Sequence, residues 1–324
     1  MEFLAQAQEL HRRYPVVDGH SDSILKYLEE GRDLTTRSDK GHIDWPRAKE
    51  AGLSCTTQAA FPEPVYYPVA AKRVGEAIDN LLLQIAAGDG VRLALNAADI
   101  RAAHAAGELA VLINIEGAEG LQGSLSLLRN YYRLGVRMMG LVWNHRNEVA
   151  DGAGEADSGA GLTKFGQEVV REMNRLGMLI DLAHITPAGF YQVMELTQAP
   201  VLFSHGNCHA LFEHPRNLTD DQIKALAANG GVMGISFVRS FMNFETATLS
   251  VVADHIDHVC QVLGNADHVG YGSDFDGTRT PPGLEDVTKL PHLTAELLKR
   301  GYKEEDMAKI LGGNYLRVFQ QVLK

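Results

Sequence analysis

Met178-Leu179-Ile180-Asp181-Leu182-Ala183-His184 runs as almost unbroken hydrocarbon and then ends on an imidazole. A parallel strand covered on both faces has this continuous apolar character, unlike the alternation of a half-exposed strand. Four other stretches repeat the pattern: Pro15-Val16-Val17-Asp18-Gly19-His20-Ser21-Asp22, Val111-Leu112-Ile113-Asn114-Ile115-Glu116, Pro200-Val201-Leu202-Phe203-Ser204-His205 and His268-Val269-Gly270-Tyr271-Gly272-Ser273-Asp274. Each sets a histidine or a carboxylate at or just past the end of the run. In barrels of parallel strands the chemistry gathers where the strands end, so five such endings imply one shared rim.

The rest of the chain fits that frame. Strands are expected near residues 16–18, 54–60, 110–115, 138–142, 178–181, 201–204, 232–237 and 269–272. Between them, apolar residues recur at helical spacing over 69–87, 125–134, 163–176, 187–197, 219–229 and 250–263, several opened by Ser, Thr or Pro. Closing helices are expected over 293–301, 303–311 and 314–323. Eight strands with intervening helices predict a (β/α)₈ barrel, one domain over residues 1–324, because no Gly-rich dinucleotide loop follows the first strand. Two Gly- and Pro-rich segments, 150–161 and 278–290, read as rim loops, the first as the more mobile.

Composition narrows the function. Hydrophobic residues at 45% and charged residues at 22% allow a large core and argue against disorder. A formal charge of −11 with no basic stripe argues against nucleic acid. The three widely spaced cysteines, Cys55, Cys208 and Cys260, do not suit a disulfide framework and read as small buried hydrophobes in a reducing compartment. Residues 1–13 look like an amphipathic charged stretch rather than a signal peptide, and no run reaches the roughly 20 apolar residues of a membrane span. A cytoplasmic location without membrane contact is therefore expected.

The rim residues form an inventory of metal ligands. His20 and Asp22 stand two apart beyond a strand, where extended backbone turns both toward one face. Glu116 carries two oxygens and alone among the five could bridge a pair of ions. His184 and His205 end consecutive strands and would supply the second ion with neutral imidazole. The set His20, Asp22, Glu116, His184 and His205 thus describes a two-metal centre, which suits hydrolysis: paired ions deliver hydroxide near neutral pH and polarise the group under attack. Asp274 could then move the proton. Other readings stay open at this point. Glu116 could pair with Arg137, Asp274 could cap a loop, and Asp276 is a rival for its role. His42, His104, His255, His258 and His292 fall in helical or loop patterns and read as surface residues.

Taken in order, Val17-Asp18-Gly19-His20-Ser21-Asp22, Ile115-Glu116-Gly117, Asp181-Leu182-Ala183-His184, Phe203-Ser204-His205, His214-Pro215-Arg216-Asn217, Gly272-Ser273-Asp274-Phe275-Asp276-Gly277 and Gly312-Gly313-Asn314-Tyr315-Leu316-Arg317-Val318 resemble the membrane (renal) dipeptidase family of the metal-dependent amidohydrolases. The resemblance runs nearly end to end. It implies a binuclear zinc dipeptidase in which His20 and Asp22 hold one zinc, His184 and His205 the other, and Glu116 bridges them. It further implies that Arg216 holds the carboxylate of a small dipeptide and that Asp274 is the proton-transfer acid. Without it, Arg216 would read as a surface residue near a helix start. Where many members carry a histidine thought to steady the oxyanion, this chain has Trp143, which leaves Asn144 or His145 as candidate substrate-binding donors, or the ions alone. Related bacterial members are similar to enzymes that accept a D-residue at the C-terminal position. The animal enzymes' lipid-anchor tail has no counterpart in the charged helical pattern at 320–324. A homodimer through exposed helix faces is expected. Rival functions are hydrolysis of a non-peptide amide, lactam or ester, and peptide or metal binding without turnover.

Overall fold

The computed structural model describes residues 2–324; Met1, at the head of the expected amphipathic stretch, lies outside the described residues. The apolar runs become strands β1 (Val17–Ser21), β2 (Cys55–Ala60), β3 (Val91–Leu93), β4 (Leu109–Ile115), β5 (Val136–Gly140), β6 (Leu179–Asp181), β7 (Leu202–Gly206), β8 (Val232–Ile235) and β9 (Val269–Tyr271). They pair in the order β2-β1-β9-β8-β7-β6-β5-β4, and β2 pairs with β4 to close the ring. Neighbouring strands are parallel throughout, from Val17 beside Cys55 to Met233 beside Val269. The (β/α)₈ barrel expected from the sequence is the fold observed.

The ninth strand is a correction. β3 pairs with the lower part of β4, Leu109 to Val111, while β5 takes the upper part, Ile113 to Ile115, of the same long strand. Three half-buried residues carry too little periodicity to be read from sequence. The helix that follows, Ala97–Ala106, was also not expected. Its alanines give no clear stripe, and its signal is the capping box, in which Asn96 Oδ1 accepts from the Ala98 and Asp99 amides while Asp99 reaches back to the Asn96 amide.

β5 begins two residues earlier than expected because Arg137 breaks the apolar run. Its guanidinium is nonetheless buried, donating to the carbonyls of Leu95, Tyr132 and Val136 and lying 4.1 Å from the Tyr132 ring. These bonds consume the arginine, so the alternative pairing with Glu116 does not form. His255 is a second correction: only 1% exposed, it accepts the Cys208 amide at Nδ1, 3.0 Å away. His42 is half-buried against Asp276, and His292 alone of the five is on the surface. Cys55 and Cys208 are buried and Cys260 partly so, all three free thiols. Segment 150–161 is a loop with a short 3₁₀ turn, tied down where Asp151 accepts from Arg146 Nε at 2.5 Å and Ser158 Oγ at 2.6 Å.

The helices bury one face against the barrel. Lys164–Leu176 is capped by Thr163, whose Oγ1 accepts the Gly166 amide at 2.9 Å, and it covers β-strand residues with Val169, Val170 and Met173. The last helix, Asn314–Val322, sends Tyr315 among the strands, where its hydroxyl donates to the Tyr271 carbonyl at 2.9 Å. Only glycine lets the strands approach so closely. A Cβ on Gly234 would be driven into the Ser204 carbonyl oxygen and the Tyr315 hydroxyl. Gly234→Ala is therefore expected to destabilise the barrel by about 1–3 kcal/mol, the usual penalty of overpacking, read as a lower midpoint in urea unfolding.

Candidate active site

The barrel collects the singled-out residues at one end. His20 lies in β1 with Asp22 just after it, Glu116 follows β4, His184 stands three residues beyond β6, His205 lies in β7, and Asp274 stands three beyond β9. His184 Nε2 is 2.9 Å from Glu116 Oε1 and 3.0 Å from His205 Nε2, which is itself 3.6 Å from that oxygen. The other carboxylate oxygen, Oε2, lies 3.5 Å from His20 Nε2. His20 Nε2 in turn is 3.5 Å from Asp22 Oδ2 and 4.0 Å from Asp274 Oδ1. Glu116 thus offers one oxygen to His184 and His205 and the other to His20 and its neighbours.

Two imidazoles are turned by partners on their far side. Asn144 Oδ1 lies 2.8 Å from His184 Nδ1. A carboxamide oxygen only accepts, so Nδ1 holds the proton and Nε2 faces the cluster as a lone pair. His205 Nδ1 is 2.9 Å from Ser204 Oγ, whose proton goes to Asp181 Oδ2 at 2.5 Å, so the serine oxygen accepts from the ring. Asp181 is fixed by the Ser204 and Ala183 amides. Asn144, Asp181 and Ser204 were not read as orienting groups. The only sequence signal for the last two was their place beside His184 and His205. His184 also sits at φ +70°, a left-handed conformation that a non-glycine residue holds only where its surroundings impose it.

Charge follows from burial and neighbours. Burial, helped by the Arg216 charge, takes His184 down to about 3, and burial with His20 and Arg216 holds His205 well below the imidazole range, so both are neutral. Burial opposes a charge on His20, but Glu116 and Asp22 outweigh it and raise it well above 6.5. Burial and the adjacent Asp22 push Asp274 well above the carboxylate range. Two neutral Nε2 lone pairs 3.0 Å apart, beside three crowded carboxylates, call for positive charge between them. The unpartnered buried atoms agree: among the described residues, both nitrogens of His20 and Oδ1 of Asp22 have no hydrogen-bond partner. Imidazole and carboxylate with free donor atoms fit divalent cations, and His20, Glu116 and His205, or His20, Asp22 and Asp274, lie close enough to share one.

Arg216, a surface residue on its own sequence context, is 4% exposed. One Nη donates to the His205 carbonyl at 3.2 Å, Nε has no partner among the described residues, and the rings of Phe203 and Phe241 flank the guanidinium at 5.8 and 5.3 Å. Burial lowers it to about 10, against the pull of Glu116 and Asp274, so it stays a cation at neutral pH. A cavity of about 400 Å³ opens onto Asp22, Glu116, His184 and Asp274, with Phe61 and Trp143 among its apolar lining. A larger recess, about 690 Å³ beside Tyr14, Arg101 and Arg317, contains none of these groups. Asn144 lines the site cavity, whereas His145 is exposed and meets the edge of Trp143, at 5.8 Å. Trp143 packs against Phe61 at 5.2 Å and His184 at 5.9 Å. Asp276, the rival acid, is bound in a buried ion pair with Arg32.

The profile of the membrane dipeptidase family, peptidase family M19, matches residues 4–324. Dipeptidase verJ of Clonostachys rogersoniana is 42% identical, covering 98% of this chain and 87% of its own length, and human Dipeptidase 3 is 34% identical, covering 100% and 68%. Among solved structures, a metallopeptidase from Rhodobacter sphaeroides, liganded with a phosphinate mimic of the dipeptide L-Ala-D-Ala, superimposes with a TM-score of 0.88 at 32% identity over 95% of this chain and 99% of that one. Fold, site geometry and these likenesses agree with the resemblance carried by the rim motifs: the chain belongs to the membrane dipeptidase family, peptidase family M19.

Proposed function

We propose that this protein is a binuclear zinc dipeptidase, which hydrolyses the one amide bond of small dipeptides. The observation that carries the reading is the division of Glu116, whose two oxygens face different histidines 2.9 and 3.5 Å away. His20 and Asp22 would hold one ion, His184 and His205 the other, with Glu116 shared. Two such ions, when bound, lower the pKa of a water and polarise the carbonyl under attack.

The chain's own groups do the rest. Arg216 meets the substrate carboxylate with a guanidinium already stripped of water and only partly used, so a planar bidentate partner gains most there. The span from that fork to the ligand cluster would set how much of a substrate fits beyond the cleaved bond. Asp274, whose carboxyl burial and Asp22 push well above the usual carboxylate range, takes a proton from the water that adds to the carbonyl carbon and gives it to the departing amide nitrogen. Phe61 and Trp143 keep bulk water from one side. The L-Ala-D-Ala mimic held by the Rhodobacter sphaeroides enzyme supports L-Xaa-D-Xaa substrates. A cytoplasmic location belongs to the same proposal, supported by three unpaired cysteines; among the described residues no helix is long and apolar enough to cross a membrane.

The test compares a dipeptide with its C-terminal amide on wild type and Arg216→Met. A buried charge-assisted pair is worth about 1.5–3 kcal/mol, so kcat/KM for the free dipeptide is expected to fall about 10- to 100-fold in the variant, with no comparable loss on the amide. Equal losses on both would make the arginine structural. Turnover of a lactam or ester but of no dipeptide by zinc-loaded wild type would replace the peptide reading.

A further inference from the structure

Asp276 has no part in the chemistry described above, yet it is the knot of three chain segments. Its Oδ2 accepts from Ser23 Oγ at 2.5 Å and from Arg32 Nη2, and its Oδ1 accepts the His42 amide at 2.8 Å. Its own amide donates to His42 Nδ1 at 2.9 Å. The side chain is 3% exposed. Ser23 directly follows Asp22, and Asp276 stands two residues after Asp274. The turn is strained, since Asp274 and Asp276 both adopt left-handed backbone, at φ +61° and +68°. Between them Phe275 is buried, its carbonyl accepting the Asp22 amide at 2.8 Å, while the Asp274 amide donates to the His20 carbonyl at 3.1 Å. Gly277 then presses against both carboxylates: a Cβ there would collide with Asp22 Oδ2 and Asp274 Oδ1. The backbone of the turn thus sets how far apart the Asp22 and Asp274 carboxyl groups stand.

We infer that Asp276 is a positioning residue: by tying Ser23, Arg32 and His42 to the turn after β9, it holds Asp22 and Asp274 at their working separation. This rests on the dipeptidase reading and adds a residue to it. Without the buried carboxylate, Arg32 keeps its bond to the Lys40 carbonyl but loses its ion-pair partner, the left-handed turn relaxes, and Asp22 and Asp274 move apart. Outer groups of this kind are worth about 10- to 100-fold in metal affinity or activity.

The test uses full-length zinc-loaded protein and Asp276→Asn, with bound zinc per chain, kcat and KM on an alanyl dipeptide, and thermal unfolding measured on the same preparations. The expected result is a folded variant whose kcat falls about 10- to 100-fold while KM moves less than about threefold, with weakened affinity for one of the two ions. Unchanged kcat and zinc affinity, or losses that only follow a lowered unfolding midpoint, would overturn the inference. Should Asp276→Asn not fold, Ser23→Ala removes one contact to Asp276, along with the 2.8 Å Ser21 Oγ–Ser23 Oγ hydrogen bond, and carries the same expectation at about three- to tenfold. Zinc affinity keeps the two claims apart: if wild type binds zinc and cleaves no dipeptide, the functional reading fails, while a weakened ion in Asp276→Asn still supports the positioning role.

Discussion

Glu116→Gln is expected to abolish dipeptide hydrolysis, with kcat/KM falling by roughly 10³-fold or more, and to strip metal from both half-sites at once. The substitution keeps shape and volume. It removes the negative charge and turns one of two acceptor oxygens into an NH₂ donor, which can no longer face a cation. Because Oε1 faces His184 and His205 and Oε2 faces His20, this one change reaches both groups. Ions contribute several kcal/mol of stabilisation to a hydrolytic transition state, and each 1.36 kcal/mol is tenfold in rate. The strand pairings of β4 end at Ile115, so far-UV circular dichroism should remain native. Loss of one ion only, with the other bound at wild-type affinity, would show that Glu116 belongs to a single half-site.

Asp274→Asn is expected to act differently, lowering kcat about 10²- to 10⁴-fold while the protein keeps both ions and nearly its wild-type KM. The amide occupies the same space but cannot pass a proton to a leaving nitrogen. Asp274 Oδ1 is the most distant of the three oxygens around His20 Nε2, at 4.0 Å against 3.5 Å for Asp22 and Glu116. Burial and Asp22 also push its carboxyl well above the usual carboxylate range, which suits a group that moves a proton. Metal analysis beside kinetics separates the roles: an Asp274→Asn protein that loses an ion along with its activity would make Asp274 a ligand of the group it forms with His20 and Asp22.

The convergence of His20, Asp22, Glu116, His184 and His205 was legible because it depends on one fact, the parallel direction of strands that read as buried hydrocarbon. Any such ring sends its strand ends to one rim, whatever the loops do. What could not be read depends on packing between distant segments. Arg216 and His255 look like surface residues in their own sequence context and are buried by aromatic rings and a loop amide contributed from elsewhere. Asn144 reads from the sequence as a substrate-binding donor through its amide nitrogen; that its oxygen orients His184, forty residues away, no local pattern indicates. Asp276 was a candidate acid by its spacing alone; only the fold reveals Arg32 and His42 as its partners. The short β3 and the alanine-rich helix after it escaped for the opposite reason, since three half-buried residues and a run of alanines carry too weak a period.

Titrating metal-free protein with zinc while following hydrolysis of an L,D-dipeptide puts these relations to the sharpest trial. Turnover should be absent in the stripped protein, rise with added zinc and level off at two ions per chain. Full turnover with no ion bound, or a chain that takes up two ions and cleaves no dipeptide of any stereochemistry, would contradict the account.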